Sequence, residues 1–357
     1  MRRGVHDFDT PRARRYRIQP MPTRDFKLFL APMEGVTDWI MRDTLSHLGG
    51  LDFCVTEFLR VTKVLHPNKV FVRHCPELLT NSMTRAGTMV YFQLLGGEPV
   101  PMAENARRAA DLGAAGIDLN FGCPAKTVNR HDGGAVLLKS PHRLYDITKT
   151  VRQNVPSEIP VSAKMRLGFE DTALCIENAK ALEEAGAQWL TVHCRTKAQG
   201  YRPPAHWAWI PQIQEHLKIP VIANGDISTV ETFEACRRET RAQSYMIGRA
   251  ALSNPFLFKK IKEAHGLALE DQREWPEIEA LLVPFFEICS REVNDYFATS
   301  RTKQWLKHLA LRYPEAKEMF NRIKVCMKPR DFILALQQSL LYSRFNDGAT
   351  NNGSIRL

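Results

Sequence analysis

The sequence contains no apolar run approaching the ~18 residues a transmembrane helix requires. It also lacks a short apolar core near its start, so a secretory leader is not expected. No C-x-x-C pair occurs among its eight cysteines, at 54, 75, 123, 175, 194, 236, 289 and 326. That argues against a structural zinc site or a redox dithiol, no metal ligands are expected, and the thiols read as reduced cytoplasmic ones. No G-x-G-x-x-G follows the first strand candidate and no G-x-x-x-x-G-K-[ST] occurs, which weakens a dinucleotide-binding sheet and excludes a P-loop. There is no internal repeat of sequence. What remains is ordinary globular composition: 357 residues, 44% hydrophobic and 25% charged, with 20 Gly and 21 Pro. Disordered, collagenous and coiled-coil chains do not look like this.

Charge is unevenly placed. The net +10 favours an anionic partner. Residues 1–27 hold eight basic side chains against three acidic, and 301–330 hold nine against two. Scattered lysines and arginines usually mark a solvated helix face. Their concentration in one short window raises a nucleic-acid footprint to an equal reading.

The chain has a repeated pattern of short apolar runs, each closed by turn residues and followed by a longer amphipathic stretch. The runs are 27–32, 53–58, 89–96, 116–122, 160–166, 189–194, 220–226 and 244–249. Such runs are what strands buried on both faces look like. Helices are predicted over 103–113, 141–153, 173–185 and 229–238; in the third, Leu174, Ala181, Leu182 and Ala185 are expected to face inward. Eight strands alternating with helices predict an α/β (β/α)8 TIM barrel, with an open doubly wound sheet as the runner-up. The pattern places a basic, flexible extension at 1–26, the barrel at 27–263 and a linker at 264–276. An all-helical domain follows at 277–345, with helices at 277–298, 301–312, 315–325 and 330–343, and then a frayed tail at 346–357.

Barrel chemistry sits at the C-terminal ends of strands. The last two strands end in Asn224-Gly225-Asp226 and Gly248-Arg249, where glycines and a cation suit a phosphate site better than a simple turn. Lys164, Arg166 and His193 interrupt apolar runs on adjacent strands, a costly arrangement unless they meet a polar or anionic ligand. Cys123 lies between Gly122 and Pro124 in a strand-end loop. Proline holds the preceding residue extended, and a largely protonated thiol there can donate a proton or, once ionised, attack. Cys54, Cys175, Cys194 and Cys236 read instead as core residues.

These residues fall in motifs that resemble one family. APMEGVTD (31–38), DLNFGCPAKTVN (118–129), KMRLG (164–168), HCRTKAQGY (193–201), ANGDI (223–227) and MIGRAAL (246–252) resemble the tRNA-dihydrouridine synthases, in the family's order. The resemblance implies an FMN-containing barrel and a helical tRNA-binding domain. It implies that NADPH reduces FMN, that hydride passes to C6 of a uridine, and that a cysteine, here Cys123, gives the proton to C5. Carried over, Pro32, Met33, Glu34 and Gln93 line the flavin, and Lys164 and His193 reach it. Asn224, Gly225, Asp226, Gly248 and Arg249 hold its phosphate; Asp226 stands where close relatives often have Glu. FLRV (58–61), NRHDGGAVLLK (129–139) and KQWL (303–306) are similar to the bacterial C-type branch, which modifies uridine 16 of the D-loop. By that likeness Arg60, Asn120, Arg166, Arg301 and Lys303 contact tRNA. The implied partner is tRNA, with neither DNA nor a membrane, for a monomer. Residues 1–26 stand outside the resemblance, as an upstream start or an RNA-contacting arm. Two other classes compete: a dihydroorotate dehydrogenase-like FMN barrel acting on a small molecule, and a non-catalytic RNA-binding protein of the same fold.

Overall fold

The computed structural model describes residues 26–266 and 274–350, with side chains as far as Leu340. The 1–26 extension, apart from Phe26, most of the expected linker, and 351–357 lie outside the described residues. Eight parallel strands close into a barrel in sequence order: β1 (Lys27–Leu30), β2 (Phe53–Arg60), β3 (Met89–Leu95), β4 (Ile117–Phe121), β5 (Val161–Arg166), β6 (Leu190–His193), β7 (Val221–Asn224) and β8 (Ser244–Ile247). Closure is made by β8 on β1, with Lys27 opposite Ser244 and Leu30 opposite Ile247. Each strand's bounds fall within two residues of those of its apolar run, and the doubly wound alternative is excluded.

The outer layer comprises α1 (Trp39–His47), α2 (Asn68–His74), α3 (Pro99–Asp111), α4 (Lys126–Arg130), α5 (Pro141–Asn154), α6 (Cys175–Glu184), α7 (Trp209–Gln214), α8 (Val230–Thr240), α9 (Ala250–Ser253) and α10 (Leu257–Ala264). Local chemistry fixes their starts. The Asp38 carboxylate accepts from the Met41 amide at 3.0 Å to cap α1. Thr229 and Thr232 form a capping box on α8, and Pro99 and Pro141 open α3 and α5. Helix α6 buries Leu182 and Ala185 as expected but corrects Leu174. It begins at Cys175, so Leu174 becomes the exposed N-cap and Cys175, Asn178, Ala179 and Leu182 face the core.

The C-terminal helices are α11 (Glu274–Glu292), α12 (Asp295–Leu309), α13 (Pro314–Ile323) and α14 (Pro329–Thr350). The first break falls earlier than the apolar periodicity suggested. Asn294 caps α12 by accepting from the Phe297 amide at 2.9 Å, which splits the expected 277–298 helix and starts the next one before 301. Helix α11 also takes in 274–276 of the expected linker, and α14 runs on through 346–350 of the expected tail. α11 packs on α1 and α12 on α9, and one apolar core runs from the barrel shell into the helices through Phe285, Trp305 and Phe332.

Inside the barrel, alternate residues of each strand point to the axis. The lower layer is apolar: Phe29, Val55, Tyr91, Trp189, Ile222 and Met246 cluster there. Phe53 stacks between Phe29 and Tyr91, with centroids at 4.9 and 5.5 Å. Further along the strands the inward residues turn polar, and this change of layer places the site at the C-terminal mouth.

Candidate active site

The polar layer is a connected network. Ser162 on β5 donates to one Asp118 oxygen at 2.6 Å, and the Gln93 amide donates to the other at 2.7 Å. The Gln93 carbonyl in turn accepts from Asn120 at 2.8 Å. Asn120 then accepts from the backbone amides of Gly122 and Cys123, at 2.9 and 3.0 Å. Burial raises the Asp118 carboxyl, opposed by the bonds from Ser162 and Gln93 and by Lys164. A chain of four side chains thus runs from the barrel interior to the loop that presents the Cys123 thiol.

That loop is held from the other side as well. Asn129 on α4 donates to the carbonyls of Cys123 and Ala125, at 2.9 and 2.7 Å, and the Ala135 amide also bonds Cys123 O. Gly134 has φ +69°, and a Cβ there would lie 2.9 Å from Cys123 O, so glycine permits the close approach. Arg166 is 2% exposed; its Nε donates to Gly122 O at 2.9 Å and its Nη1 to the carbonyls of Thr196 and Gly200. The Cys123 thiol is half-buried. Burial, reinforced by Glu34, pushes its pKa up against the opposing pull of the Ala125 amide, Arg166 and Arg60, so it is protonated at neutral pH.

Across the mouth, Lys164 is buried, with the Asn224 amide oxygen 3.3 Å from its ammonium, and Asn224 is fixed by donating to Met246 O at 2.8 Å. Burial and then Arg166 lower Lys164 to about 8. His193 is driven well below its ordinary value by burial, then by Lys164, Arg166, Arg195 and Arg249, and is neutral. Arg195 grips both Asp226 oxygens at 2.5 Å, and Asp226 also accepts from the Ala205 amide at 2.7 Å. Gly225 and Asp226 have φ +130° and +54°. Tyr201 is exposed and near two guanidinium groups, with Arg166 5.2 Å and Arg249 4.8 Å from its ring centre. Glu34 is exposed on the rim, and partial desolvation raises its carboxyl. The mouth therefore carries more cations than its carboxylates neutralise, with a protonated thiol on its rim.

A family model for dihydrouridine synthases matches residues 29–331. The chain belongs to the dihydrouridine synthase family. It is 48% identical over 298 residues to the tRNA-dihydrouridine(16) synthase of Pseudomonas syringae pv. tomato, covering 84% of this chain and 94% of that protein. It is 46% identical over 315 residues to the protein of the same name from Shewanella oneidensis, covering 88% and 98%. A solved 2-naphthoyl-CoA reductase complex is similar in fold, at a TM-score of 0.51 and 15% identity, covering 67% of this chain and 50% of that one.

In this family member the mouth brings together Met33, Glu34, Asn120, Cys123, Lys164, Arg166, His193, Asn224, Gly225, Gly248 and Arg249, with Pro32 at the end of β1 and Arg60 at the end of β2. Gly248 lies against β1, where an added Cβ would sit 3.5 Å from Ala31 and from Met33 Sδ. Gln93 has no exposed surface, and its amide bridges Asp118 and Asn120. The Asp226 carboxylate is turned to Arg195, so a phosphate there would meet the 225–226 backbone and not this side chain.

Arg301 and Lys303, expected to contact RNA, are both engaged within the protein. Arg301 is buried against Asp38 at 2.9 Å, and Lys303 donates to the carbonyls of Lys324 and Cys326 at 3.0 and 2.6 Å. Arg301 joins the helical domain to the barrel and Lys303 braces the helical domain itself, while Lys307, Lys317, Lys324, Lys328 and Arg330 in the same basic window are exposed. Sequence reasoning assigned no role to Arg195, Asp118 or Asn129. A charged residue two positions past β6 was a usable signal for Arg195; nothing local distinguishes Asp118 from any strand aspartate.

Proposed function

We propose that this protein reduces uridine 16 of the tRNA D-loop to 5,6-dihydrouridine, using FMN reduced by NADPH, as a cytoplasmic monomer acting on one tRNA. The observation that carries the reading is the half-buried, protonated Cys123 thiol, locked by Asn120 and Asn129 at a cationic barrel mouth.

The residues fit FMN. Lys164 is a buried ammonium whose hydrogen bond, to Asn224, is long, and burial of a charge this lightly partnered is costly unless an acceptor completes its shell. Lys164 and neutral His193 would face the flavin ring, with Pro32, Met33 and Glu34 along its edge. The amides at Gly225, Asp226 and Gly248, with Arg249, would hold its phosphate. When bound, the flavin supplies hydride. The chain's own work is to present the base and the proton. Extruding a D-loop uridine into the mouth requires unstacking it, and exposed Tyr201, beside Arg166 and Arg249, offers aromatic surface for it to pack on. Asn120 and Arg166 hold the backbone around Gly122, so the thiol stays at a fixed height beside the base and protonates C5. Arg60 and the exposed lysines of α12 and α13 meet phosphates.

The test uses Cys123→Ala and the wild-type protein, both loaded with FMN. Both should be yellow and bleach with NADPH. Wild type should re-oxidise on adding unmodified tRNA, and the variant should do so at least about a hundredfold more slowly. Equal rates would refute the proton-donor role, and a colourless wild-type protein that takes up no FMN would refute the flavin reading.

A further inference from the structure

The turn from β1 to α1, residues 33–38, carries Met33 and Glu34 into the mouth, and it is gripped from several elements. Within the turn, the Met33 amide donates to the Thr37 hydroxyl at 2.8 Å, and Thr37 returns a bond to Met33 O. From the barrel, Glu57 on β2 accepts from the Val36 amide at 2.8 Å, and Arg42 on α1 donates to Thr37 O at 2.9 Å. The remaining grip comes from the helical domain. Arg301 on α12 donates to Val36 O at 2.7 Å, to Gly35 O at 3.4 Å and to Asp38 at 3.1 Å, and Gln304 one turn later donates to Gly35 O at 3.3 Å. The Arg301 side chain is 7% exposed, and its guanidinium also lies over Phe285 of α11.

We propose that Arg301 is a positioning residue that couples the helical domain to the cofactor side of the barrel mouth, so that seating of tRNA on the helices and seating of FMN in the barrel reinforce one another. The inference rests on the FMN and tRNA reading above. Its physical basis is the planar fork of arginine, which bonds two carbonyls and one carboxylate of a single turn at once. Moving α12 relative to the barrel would pull directly on the peptides at 35–36, two to three residues from Met33. Asp38 is shared: one oxygen caps α1 and the other takes Arg301, so the barrel helix and the domain helix are referenced to one side chain. A coupling between two sites is reciprocal by linkage, so each ligand should tighten the other by the same factor.

Arg301→Lys keeps the charge and loses the fork; Asp38→Asn removes the ion pair from the barrel side while retaining a cap. FMN affinity is read from flavin fluorescence with and without tRNA, and tRNA affinity is read as a function of salt. Both variants should bind FMN at least about fivefold more weakly without RNA. The tightening of FMN by added tRNA should disappear, and the salt slope of tRNA binding should stay at the wild-type value, because no phosphate contact is lost. Unchanged FMN affinity in the folded variants overturns the inference. A salt slope reduced by about 0.7–0.9 in Arg301→Gln, the loss of one phosphate contact, overturns it in favour of direct RNA contact. A wild-type protein that binds no FMN refutes the functional reading itself, whereas wild-type binding with inert variants refutes this inference alone.

Discussion

Cys123 and Glu57 show how one physical effect, burial of an ionisable group, serves two ends. Burial keeps the Cys123 thiol protonated, which is the state a proton donor needs. Since its pKa is raised, donor capacity is full at neutral pH and is lost as pH climbs through the folded value, above the ordinary thiol range. Single-turnover uridine reduction should therefore fall on the alkaline side while NADPH bleaching of the flavin does not; parallel pH profiles would contradict this. Glu57 is raised from 4.5 to about 7, by burial first, with Asp38 and Glu34 adding to it and the Val36 amide opposing. For a carboxyl raised on folding, the associated stability is present below the unfolded value and is lost as pH rises through the folded one. Glu57→Gln, which can still accept from Val36, should flatten the decline in stability between pH 4.5 and 7 and raise stability at pH 8 by roughly 1–3 kcal/mol. An unchanged pH dependence of urea unfolding would count against it. The Cys123 thiol was legible beforehand as a protonated donor, through its glycine and proline neighbours and its motif; Glu57 was not, being one acid in an apolar strand until the Val36 amide is seen to donate to it.

At the scale of elements, the strands were readable because each is buried on both faces and bounded by turn residues, so hydropathy alone located all eight. Helix phase was less readable. The start of α6 depends on where the 168–174 loop ends, and Leu174 is apolar enough to pass for a first inward residue, although it is the exposed N-cap. The α11–α12 break was hidden because Asn294 caps through its side chain within an otherwise continuous periodicity. The cysteine loop gives the sharpest element-level prediction. Gly134→Ala forces a side chain onto a positive-φ position and toward Cys123 O, at a cost of about 1–3 kcal/mol. The protein should still fold and bind FMN, with uridine reduction lowered at least about tenfold; wild-type turnover would show that the loop has slack.

Across the whole molecule, the basic window at 301–330 divides into residues that bond within the protein, Arg301 and Lys303 among them, and residues that face solvent. Charge counting cannot tell a lysine that bonds carbonyls from one that faces solvent. Arg301 turns toward the barrel, and Lys303, about 200° round α12 from it, turns toward α14. The same continuity bears on truncation. Barrel shell and helical domain share one apolar core, and removing 274–357 would strip the cover from α1 and α9. The isolated barrel should be poorly soluble and aggregated by size exclusion; a monodisperse, flavin-binding barrel would show that the two halves are energetically independent. A small-molecule barrel oxidoreductase would have no use for this docked, basic appendage, which agrees with membership of the dihydrouridine synthase family.

The central claim is that one D-loop uridine is the substrate. It is tested most directly by taking tRNA from cells lacking this gene, incubating it with the FMN-loaded protein and NADPH, and mapping dihydrouridine by nuclease digestion and mass spectrometry. The account predicts that the fragment containing position 16, and no other, gains two hydrogens, and that it does not when Cys123→Ala replaces the wild-type protein. Modification at a different D-loop position, or an unmodified tRNA beside a flavin that NADPH reduces, would contradict it.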